Sequence, residues 1–349
     1  MRRQQKYISI LIVVALVFIL LASSVMVSSP ADAQNPALST NPSAPTETSA
    51  PTDPTETSVP TDPTETSAPT VPSEPTQPQP TTPPAITLQS RDAFVYDCRT
   101  GQFLYSSGNL HEKLYPASIT KLFSAYVALL YLKPTEIVTV GNILDTLPSD
   151  SSTALLNPND KLSVADLILG MLLPSGGDAA RVLAVAAGKA YIGTTDQTEY
   201  YYYDIFVKEM NRQAKLLGMN DSHFKNPDGY HDPDHYMSMA DAARLGELCL
   251  SSSRIMQSVQ TQVYTAVVHN TARPIQWVNT NKLLFKERYP EFYHAQAVGM
   301  KTGFTSAAGN CLLSAFQVED GYLIIGAFGS ETRDGRFNDT LKLFKYIEE

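Results

Sequence analysis

The chain has 349 residues and a formal net charge of −9, with 43% hydrophobic and 17% charged residues. Its length allows one large domain or two modest ones, and its composition is that of a protein that folds. The acidic balance argues against nucleic acid as a partner, because a phosphate backbone is bound by clustered lysines and arginines.

The first 33 residues have the layout of an export signal. Three basic residues precede an uncharged apolar run over residues 8–27, and Ala31-Asp32-Ala33 follows it as an Ala-x-Ala cleavage step. The run, about 20 residues long, could also span a bilayer if it is not cleaved. Residues 1–33 are therefore predicted to be a signal peptide or an N-terminal membrane anchor. The rest of the chain is predicted to be exported, either tethered to the membrane or released.

Residues 34–85 form a region of low complexity. They consist almost entirely of Pro, Thr, Ser, Glu, Asp and Ala, and Pro-Thr-Glu-Thr-Ser recurs from Pro45, Pro54 and Pro63. Such a segment cannot bury enough apolar surface to offset the entropy lost on ordering. Its prolines favour extended polyproline II, so the sequence predicts a disordered, semi-stiff linker that holds the following domain away from a membrane.

From residue 86 the chain alternates between strand and helix signals. Two β-rich runs on either side of Arg99-Thr100-Gly101 predict an opening hairpin. A helix is predicted from Ser118, because apolar residues then recur along one side. Three more helices are predicted from Ser163, with Asp166 completing a capping box, from Asp178, and from Tyr203.

The C-terminal third returns to strands and ends in a helix. Strands are predicted at residues 296–300, 311–318 and 322–328, and a helix from about Asp334 that turns Phe337, Leu341, Phe344 and Ile347 inward. Strands at both ends of the domain therefore flank a helical middle of roughly residues 140–255. The sequence predicts an α/β (α+β) domain over residues 86–349, in which one sheet carries an inserted helical lobe and the cleft between them holds the site.

The motif Ser118-Ile119-Thr120-Lys121 carries the strongest chemical signal. Its hydroxyl and amine share one face of a helix start, because residues three apart are neighbours there. A serine becomes a good nucleophile when a neutral lysine accepts its proton, and burial or a second cation keeps lysine neutral. The helix start also directs N–H groups towards developing negative charge. Ser118 and Lys121 are predicted to be nucleophile and base.

Two further motifs support this interpretation through their order and spacing. Lys301-Thr302-Gly303-Phe304 is predicted at a strand end, where Lys301 supplies the second cation and Gly303 lets a substrate backbone lie close. Ser175-Gly176-Gly177 is predicted on the helical lobe. A zinc site at His231-Asp232-Pro233-Asp234-His235 is disfavoured because the proline and the aspartates indicate a loop rather than a helical face. No metal or cofactor is predicted.

These motifs and several longer stretches resemble one family. The stretches are residues 97–101, 224–230, 235–238, 306–312 and 333–340. The domain resembles the low-molecular-mass penicillin-binding proteins, the D-alanyl-D-alanine carboxypeptidases of peptidase family S11, over nearly all of residues 86–349. The resemblance implies the serine β-lactamase/transpeptidase-like fold, an antiparallel sheet flanked by helices with an inserted all-helical lobe.

The resemblance also implies an activity. The protein would be a serine-type D-Ala-D-Ala carboxypeptidase that acts on peptidoglycan pentapeptides ending in D-Ala-D-Ala and is acylated by penicillins and other β-lactam antibiotics. Ser118 would form the acyl-enzyme, Lys121 would be its base, and Ser175 would relay a proton to the leaving D-alanine. The β-rich domain and C-terminal anchor of many members do not follow in this sequence, so the membrane tether is expected at the N-terminus.

The substrate-binding residues are implied in the same way. Lys301 and Thr302 would hold the terminal carboxylate, and the N–H groups of Ser118 and Phe304 would form the oxyanion hole. The second motif of the family ends in Asn, whereas this chain has Gly177, which offers the substrate no side chain. A slow peptidase is therefore expected, and Gly177→Asn is expected to accelerate its acylation.

Two other functions stay open at this stage. A class A β-lactamase would share the first and third motifs, but its fast deacylation uses a Glu-x-x-Leu-Asn loop that the sequence between Ser175 and Lys301 does not contain. A non-catalytic penicillin or peptidoglycan sensor would explain Gly177 as lost turnover. Release of D-alanine from a pentapeptide separates these functions. The balance of carboxypeptidase and endopeptidase activity does not follow from the sequence.

Overall fold

The computed structural model describes residues 86–348, which belong to one compact unit. The predicted signal or anchor (1–33) and the predicted linker (34–85) lie outside the described residues. Among the helices of residues 86–348, none has the length and apolar character needed to cross a membrane.

The domain is built on a five-stranded antiparallel sheet. The strands, in chain order, are β1 Asp92–Asp97, β2 Gln102–Ser106, β3 Ile137–Thr139, β4 Lys161–Ser163, β5 Val263–Val267, β6 Pro274–Val278, β7 Ala297–Thr305, β8 Gly309–Val318 and β9 Gly321–Ser330. The main sheet has the order β2-β1-β9-β8-β7, while β3-β4 and β5-β6 form separate pairs. The predicted opening hairpin is therefore confirmed, and it joins the C-terminal strands in one sheet.

Seven α-helices surround this sheet in the described part of the chain. They are α1 Thr120–Leu129, α2 Val164–Leu172, α3 Gly177–Ile192, α4 Glu199–Leu216, α5 Met239–Ser251, α6 Ser253–Gln260 and α7 Gly335–Glu348. Helices α1 to α6 lie between the two sets of sheet strands in the sequence, as the prediction of an inserted helical middle requires. Helix α7 covers the opposite face, where Phe337 and Phe344 are buried and Leu341 and Ile347 partly so.

Burial on both faces explains the apolar composition of the central strands. Seven of the ten residues in each of β8 and β9 are buried, so these strands read as largely apolar runs rather than alternating ones. One apolar cluster joins the sheet to the helical lobe. A second joins the sheet to α7. Packing on both faces thus fixes the position of the sheet, which can support a site at its edge.

One predicted strand ends later than expected. The sequence placed Lys301-Thr302-Gly303 at a strand end, but β7 continues to Thr305 and pairs these residues with Leu313, Leu312 and Cys311. The turn comes only after Thr305, whose hydroxyl accepts a hydrogen bond from the Ala308 N–H at 3.0 Å. The third motif therefore lies inside a fully paired strand, which fixes its backbone.

Of the predicted helix caps, Ser163 is confirmed and Asp178 is wrong. The Ser163–Asp166 capping box is present as predicted. Asp178, however, does not cap α3, which begins at Gly177 after Gly176. Its carboxylate instead accepts hydrogen bonds from the N–H groups of Ala154, Leu156 and Ala179. The reason is that Asp178 is buried in the first turn, where it ties a neighbouring loop to the helix start.

The sequence also misjudged the later helices. The helix predicted from Tyr203 begins at Glu199, because Thr198 caps it by accepting from the Tyr201 N–H. Helices α5 and α6 and the β5–β6 pair were not predicted at all. The overlooked signals were Ser238 and Ser252, whose hydroxyls accept from the N–H three residues later and so mark the two helix starts.

Candidate active site

The serine of the first motif lies in a strained turn. Residues Ala117–Ile119 form one turn of 3₁₀ helix, and α1 begins only at Thr120. Ala117 has a φ of 47°, a left-handed conformation that costs about 1–3 kcal/mol in a non-glycine residue. Strand β7 packs against this turn so closely that a Cβ at Gly303 would lie 3.2 Å from the Ser118 nitrogen. The sheet therefore holds Ser118 beside the third motif.

The predicted pairing of Ser118 and Lys121 is present. Lys121 Nζ lies 2.9 Å from Ser118 Oγ and donates a second hydrogen bond to the backbone carbonyl of Asp228 at 2.5 Å. Burial lowers the pKa of Lys121 to about 8, against the pull of the Asp228 and Asp178 carboxylates and with a smaller lowering by Arg181. A useful fraction of this amine is therefore neutral near physiological pH and can accept the serine proton.

The acceptor carbonyl belongs to a tight loop. Asn226 Oδ1 accepts a hydrogen bond from the Gly229 N–H at 2.7 Å, and Asn226 Nδ2 donates to the Tyr230 carbonyl at 2.9 Å. Gly229 has a φ of 76°, and a Cβ there would lie 1.9 Å from the Ala117 carbonyl oxygen. Only glycine lets this loop approach the strained turn that carries Ser118.

Gly229→Ala is accordingly expected to lower the free energy of unfolding by about 3 kcal/mol or more, because the left-handed backbone and the overpacking each contribute. Urea unfolding measures the change. The matched control is Gly218→Ala, since Gly218 has a φ of 81° but open space around its Cβ position, and it should lose only about 1–2 kcal/mol. Equal losses in both variants would mean that the contact with Ala117 is unimportant.

The second motif presents a free hydroxyl to the cleft. Ser175 has a left-handed φ of 67°, lines the cleft, and forms no hydrogen bond through its hydroxyl to any other residue in the described range. The next two residues are held by backbone bonds, from the Gly176 N–H to Gly170 and from the Gly177 N–H to Ser152. The Ser175 hydroxyl is thus rigidly placed and available for proton transfer.

These motifs meet in one cleft of about 630 Å³. It is lined by seven of the eight predicted site residues: Ser118, Lys121, Ser175, Gly177, Thr302, Gly303 and Phe304. Phe304 follows the third motif with 55% of its surface exposed, so its ring borders the opening. The eighth predicted residue, Lys301, is absent from the lining formed by the described residues.

Lys301 lies behind this lining rather than on it. Its side chain is 1% exposed, and Nζ donates to the Thr302 carbonyl at 3.0 Å. No carboxylate within residues 86–348 pairs with it. Burial, with the nearby Lys121 and Arg336 cations, lowers the pKa of Lys301 well below its ordinary value. A buried amine without a counter-ion favours an incoming anion, because the anion would stabilise its charged form.

Sequence reasoning missed several groups that surround the third motif. Thr280 Oγ1 lies 2.6 Å from Thr302 Oγ1. Arg333 and Arg336 also line the cleft, and Arg336 Nη1 donates to the Gly303 carbonyl at 2.8 Å. Two hydroxyls and the Arg336 guanidinium therefore lie beside the third motif, where the resemblance places the substrate carboxylate. Thr280 had no signal in the sequence, whereas both arginines lie in a stretch that carries the resemblance.

The two histidines of the disfavoured zinc motif lie in different environments. His235 is buried between Thr120 Oγ1, at 2.8 Å, and the Lys225 N–H, at 3.2 Å. Burial lowers the pKa of His235 to about 4, so it stays neutral. His231 is exposed and packs edge-on against Tyr115. Within residues 86–348, no group of three or more His, Cys, Asp or Glu side chains is arranged to hold a metal ion.

An antiparallel sheet, an all-helical lobe and a serine–lysine pair between them define the serine β-lactamase/transpeptidase-like class of proteins. The chain belongs to the D-alanyl-D-alanine carboxypeptidase family, peptidase family S11, whose sequence model matches residues 76–332. The resemblance and the fold that it implies are thereby confirmed.

Individual relatives agree with this assignment. The chain is similar to the Streptomyces K15 DD-transpeptidase in its crystal structure, with a TM-score of 0.66 and 26% identity over 75% of this chain and 97% of that one. It is 30% identical over 277 residues to the D-alanyl-D-alanine carboxypeptidase DacC of Escherichia coli (strain K12), and 28% identical over 261 residues to DacF of Bacillus subtilis (strain 168). These matches cover 76% and 74% of this chain, which spans 63% and 62% of the two relatives' lengths.

Proposed function

We propose that the protein is a serine-type D-Ala-D-Ala carboxypeptidase that acts on peptidoglycan pentapeptides and is acylated by β-lactams. The observation that carries the proposal is the 2.9 Å contact between Lys121 Nζ and Ser118 Oγ in a cleft shared with the third motif. Membership of the family supports the reaction and the substrate.

The geometry supports a scheme of acylation followed by hydrolysis of the acyl-enzyme. Neutral Lys121 accepts the Ser118 proton as Oγ attacks the carbonyl carbon of the penultimate D-alanine. The N–H groups of Ser118 and Phe304 stabilise the oxyanion. The carbon–nitrogen bond to the terminal D-alanine then breaks, and the departing amine receives a proton relayed through Ser175. Water, deprotonated by Lys121, hydrolyses the ester and restores the serine.

The substrate carboxylate has a defined position in this scheme. Thr302 and Thr280 offer hydroxyl donors at the cleft wall, and the buried Lys301 amine lies behind them. A carboxylate bound there would favour the charged form of Lys301, and charge-assisted hydrogen bonds are the stronger ones. The terminal D-alanine is thus recognised by its free acid.

A pentapeptide ending in D-Ala-D-Ala should therefore release D-alanine, while its C-terminal amide should react roughly ten- to a hundredfold more slowly for lack of those bonds. Mass spectrometry of both reactions provides the measurement. In the control variant Thr302→Val, the preference for the acid should shrink. Equal turnover of acid and amide by the unmodified protein would remove the carboxylate role, and no release from either would remove the carboxypeptidase activity.

We also propose that the domain acts outside the cytoplasm, tethered through residues 1–33 or released. The support is the basic start, the apolar run and the Ala-x-Ala step of the sequence. A reporter that functions only in the cytoplasm, fused after Pro84, should give no signal. The same fusion without residues 2–33 should give a strong one. A strong signal from both fusions would refute export.

A further inference from the structure

A buried ion pair borders the floor of the cleft. Arg181 Nε lies 2.9 Å from Asp228 Oδ2, and the two side chains are only 8% and 3% exposed. Arg181 Nη1 also donates to the carbonyl and the hydroxyl of Thr146, at 2.9 and 2.8 Å. Asp228 Oδ1 accepts from the Tyr230 N–H at 3.0 Å. Each side chain therefore makes hydrogen bonds beyond the ion pair, and these hold the pair in one geometry.

This pair acts directly on the residue that orients the base. Asp228, whose side chain binds Arg181, offers its backbone carbonyl to Lys121 Nζ. That carbonyl and Ser118 Oγ are the two acceptors that the Lys121 amine has among the described residues. A shift of Asp228 would therefore move or rotate the amine relative to the serine. Proton transfer depends on the distance and angle between Lys121 Nζ and Ser118 Oγ. The ion pair therefore controls the orientation of the Lys121 amine towards the serine.

The position of the pair also relates to Gly177. Arg181 follows Gly177 by four residues on α3, so the two residues share one face of the helix. A Cβ at Gly177 would lie 3.6 Å from Asp228 Oδ2 and 3.0 Å from Leu147 Cδ1. The carboxylate thus borders the space into which an asparagine side chain at residue 177 would extend.

We propose that the Arg181–Asp228 ion pair positions Lys121 and so takes over an orienting role that Gly177, having no side chain, does not fill. This inference rests on the proposed function, because it assigns Arg181 and Asp228 as positioning residues for the same reaction. Their effect reaches the serine only through the Lys121 amine.

The charges around Lys121 allow the proposal to be tested through the pKa of this lysine. Asp228 on the loop and Asp178 on α3 favour the charged amine, whereas Arg181 on α3 opposes it. Lys301 on β7 also faces this amine, and the Lys121 charge helps to lower the pKa of Lys301. The acylation rate should rise with pH as Lys121 loses its proton, and this rise is the acidic limb of the pH–rate profile. Removing Arg181 alone should raise the pKa of Lys121 and move the acidic limb to higher pH. Removing the Asp228 charge alone should lower that pKa and move the limb to lower pH. A merely structural pair would not give opposite shifts.

The experiment measures the second-order rate of acylation by labelled penicillin against pH. The variants are Arg181→Met, Asp228→Asn, the double variant, and Arg181→Lys as the conservative change. Either single variant leaves one buried charge unpaired and can unfold, so the double variant carries the main test. In it we expect the plateau rate to fall roughly ten- to a hundredfold in a folded protein, as for one lost hydrogen bond in a desolvated site. Arg181→Lys should lose less.

A second comparison places Gly177→Asn in two backgrounds. The sequence alone predicts that this change accelerates acylation; the structure predicts that the gain is small while the ion pair is present. In the double variant, the new side chain should recover roughly tenfold of the lost rate. An equal factor in both backgrounds, or an unchanged plateau and pH profile in the folded double variant, would overturn the inference. If the unmodified protein is not acylated at all, the proposed function fails instead.

Discussion

Ser118→Ala is expected to abolish covalent labelling by penicillin and to reduce D-alanine release by about 10⁴-fold or more, because no other group can form the ester. The hydroxyl is the atom that Lys121 Nζ contacts, and the sheet holds it at the cleft wall. The remaining cleft should still bind peptide, so KM should change far less than kcat. Mass spectrometry of the labelled protein gives both the stoichiometry and the position of the adduct.

The chain supplies a matched control for this experiment. Ser222-His223-Phe224-Lys225 repeats the Ser-x-x-Lys spacing, but Ser222 donates to the buried Asp241 instead of contacting a lysine. Ser222→Ala should label like the unmodified protein. A label that persists in Ser118→Ala, or that maps to another residue, would overturn the assignment of the nucleophile.

Lys121→Met should reduce acylation by about 10²- to 10⁴-fold, the contribution of a general base. The unmodified protein must have a neutral Lys121 to react. Because the pKa is about 8, the rate should rise tenfold per pH unit below that value and level off above it. The variant should lose this limb. A pH limb unchanged in the methionine variant would show that another group is the base.

The pH dependence of the free energy of unfolding gives an independent test of the Lys121 pKa. Lys121 has a pKa of 10.5 when unfolded and about 8 when folded, so between these values the unfolded chain binds the extra proton. The free energy of unfolding must therefore rise with pH between about 8 and 10.5. The contribution of Lys121 to stability is least favourable below pH 8. Urea unfolding should show a rise of up to about 3 kcal/mol that Lys121→Met lacks. Parallel curves for the two proteins would mean that burial does not lower this pKa.

How much of the site the sequence could predict depends on distance along the chain. Ser118 and Lys121 are three residues apart, so helix geometry alone brings them together, and the capping box at Ser163 is local in the same sense. The Asp228 carbonyl lies 107 positions from Lys121, and Asp228 lies 47 positions from Arg181. No pattern in a single sequence links such pairs.

The strand that carries the third motif shows another limit. The sequence predicted a strand that stops at Met300, directly before Lys301-Thr302-Gly303. The backbone pairing with β8 nevertheless continues to Thr305, since sheet hydrogen bonds do not depend on side-chain type. A functional motif inside a strand therefore looks like a strand end. Lys301 was predicted to be at the site for its charge, but its near-complete burial is a property of the packed sheet.

The order of the sheet strands has a consequence for the timing of assembly. Strand β1 pairs with β9, so that Asp97 lies opposite Leu323, and the turn that carries Ser118 packs against β7. Contacts between such distant parts of a chain form slowly, because a long loop must close before they stabilise anything. A chain that emerges from a ribosome or an export channel with its N-terminus first has Ser118 and Lys121 early but no strand to hold them. The Ser118–Lys121 pair is thus held in place only after the C-terminal strands have joined the sheet.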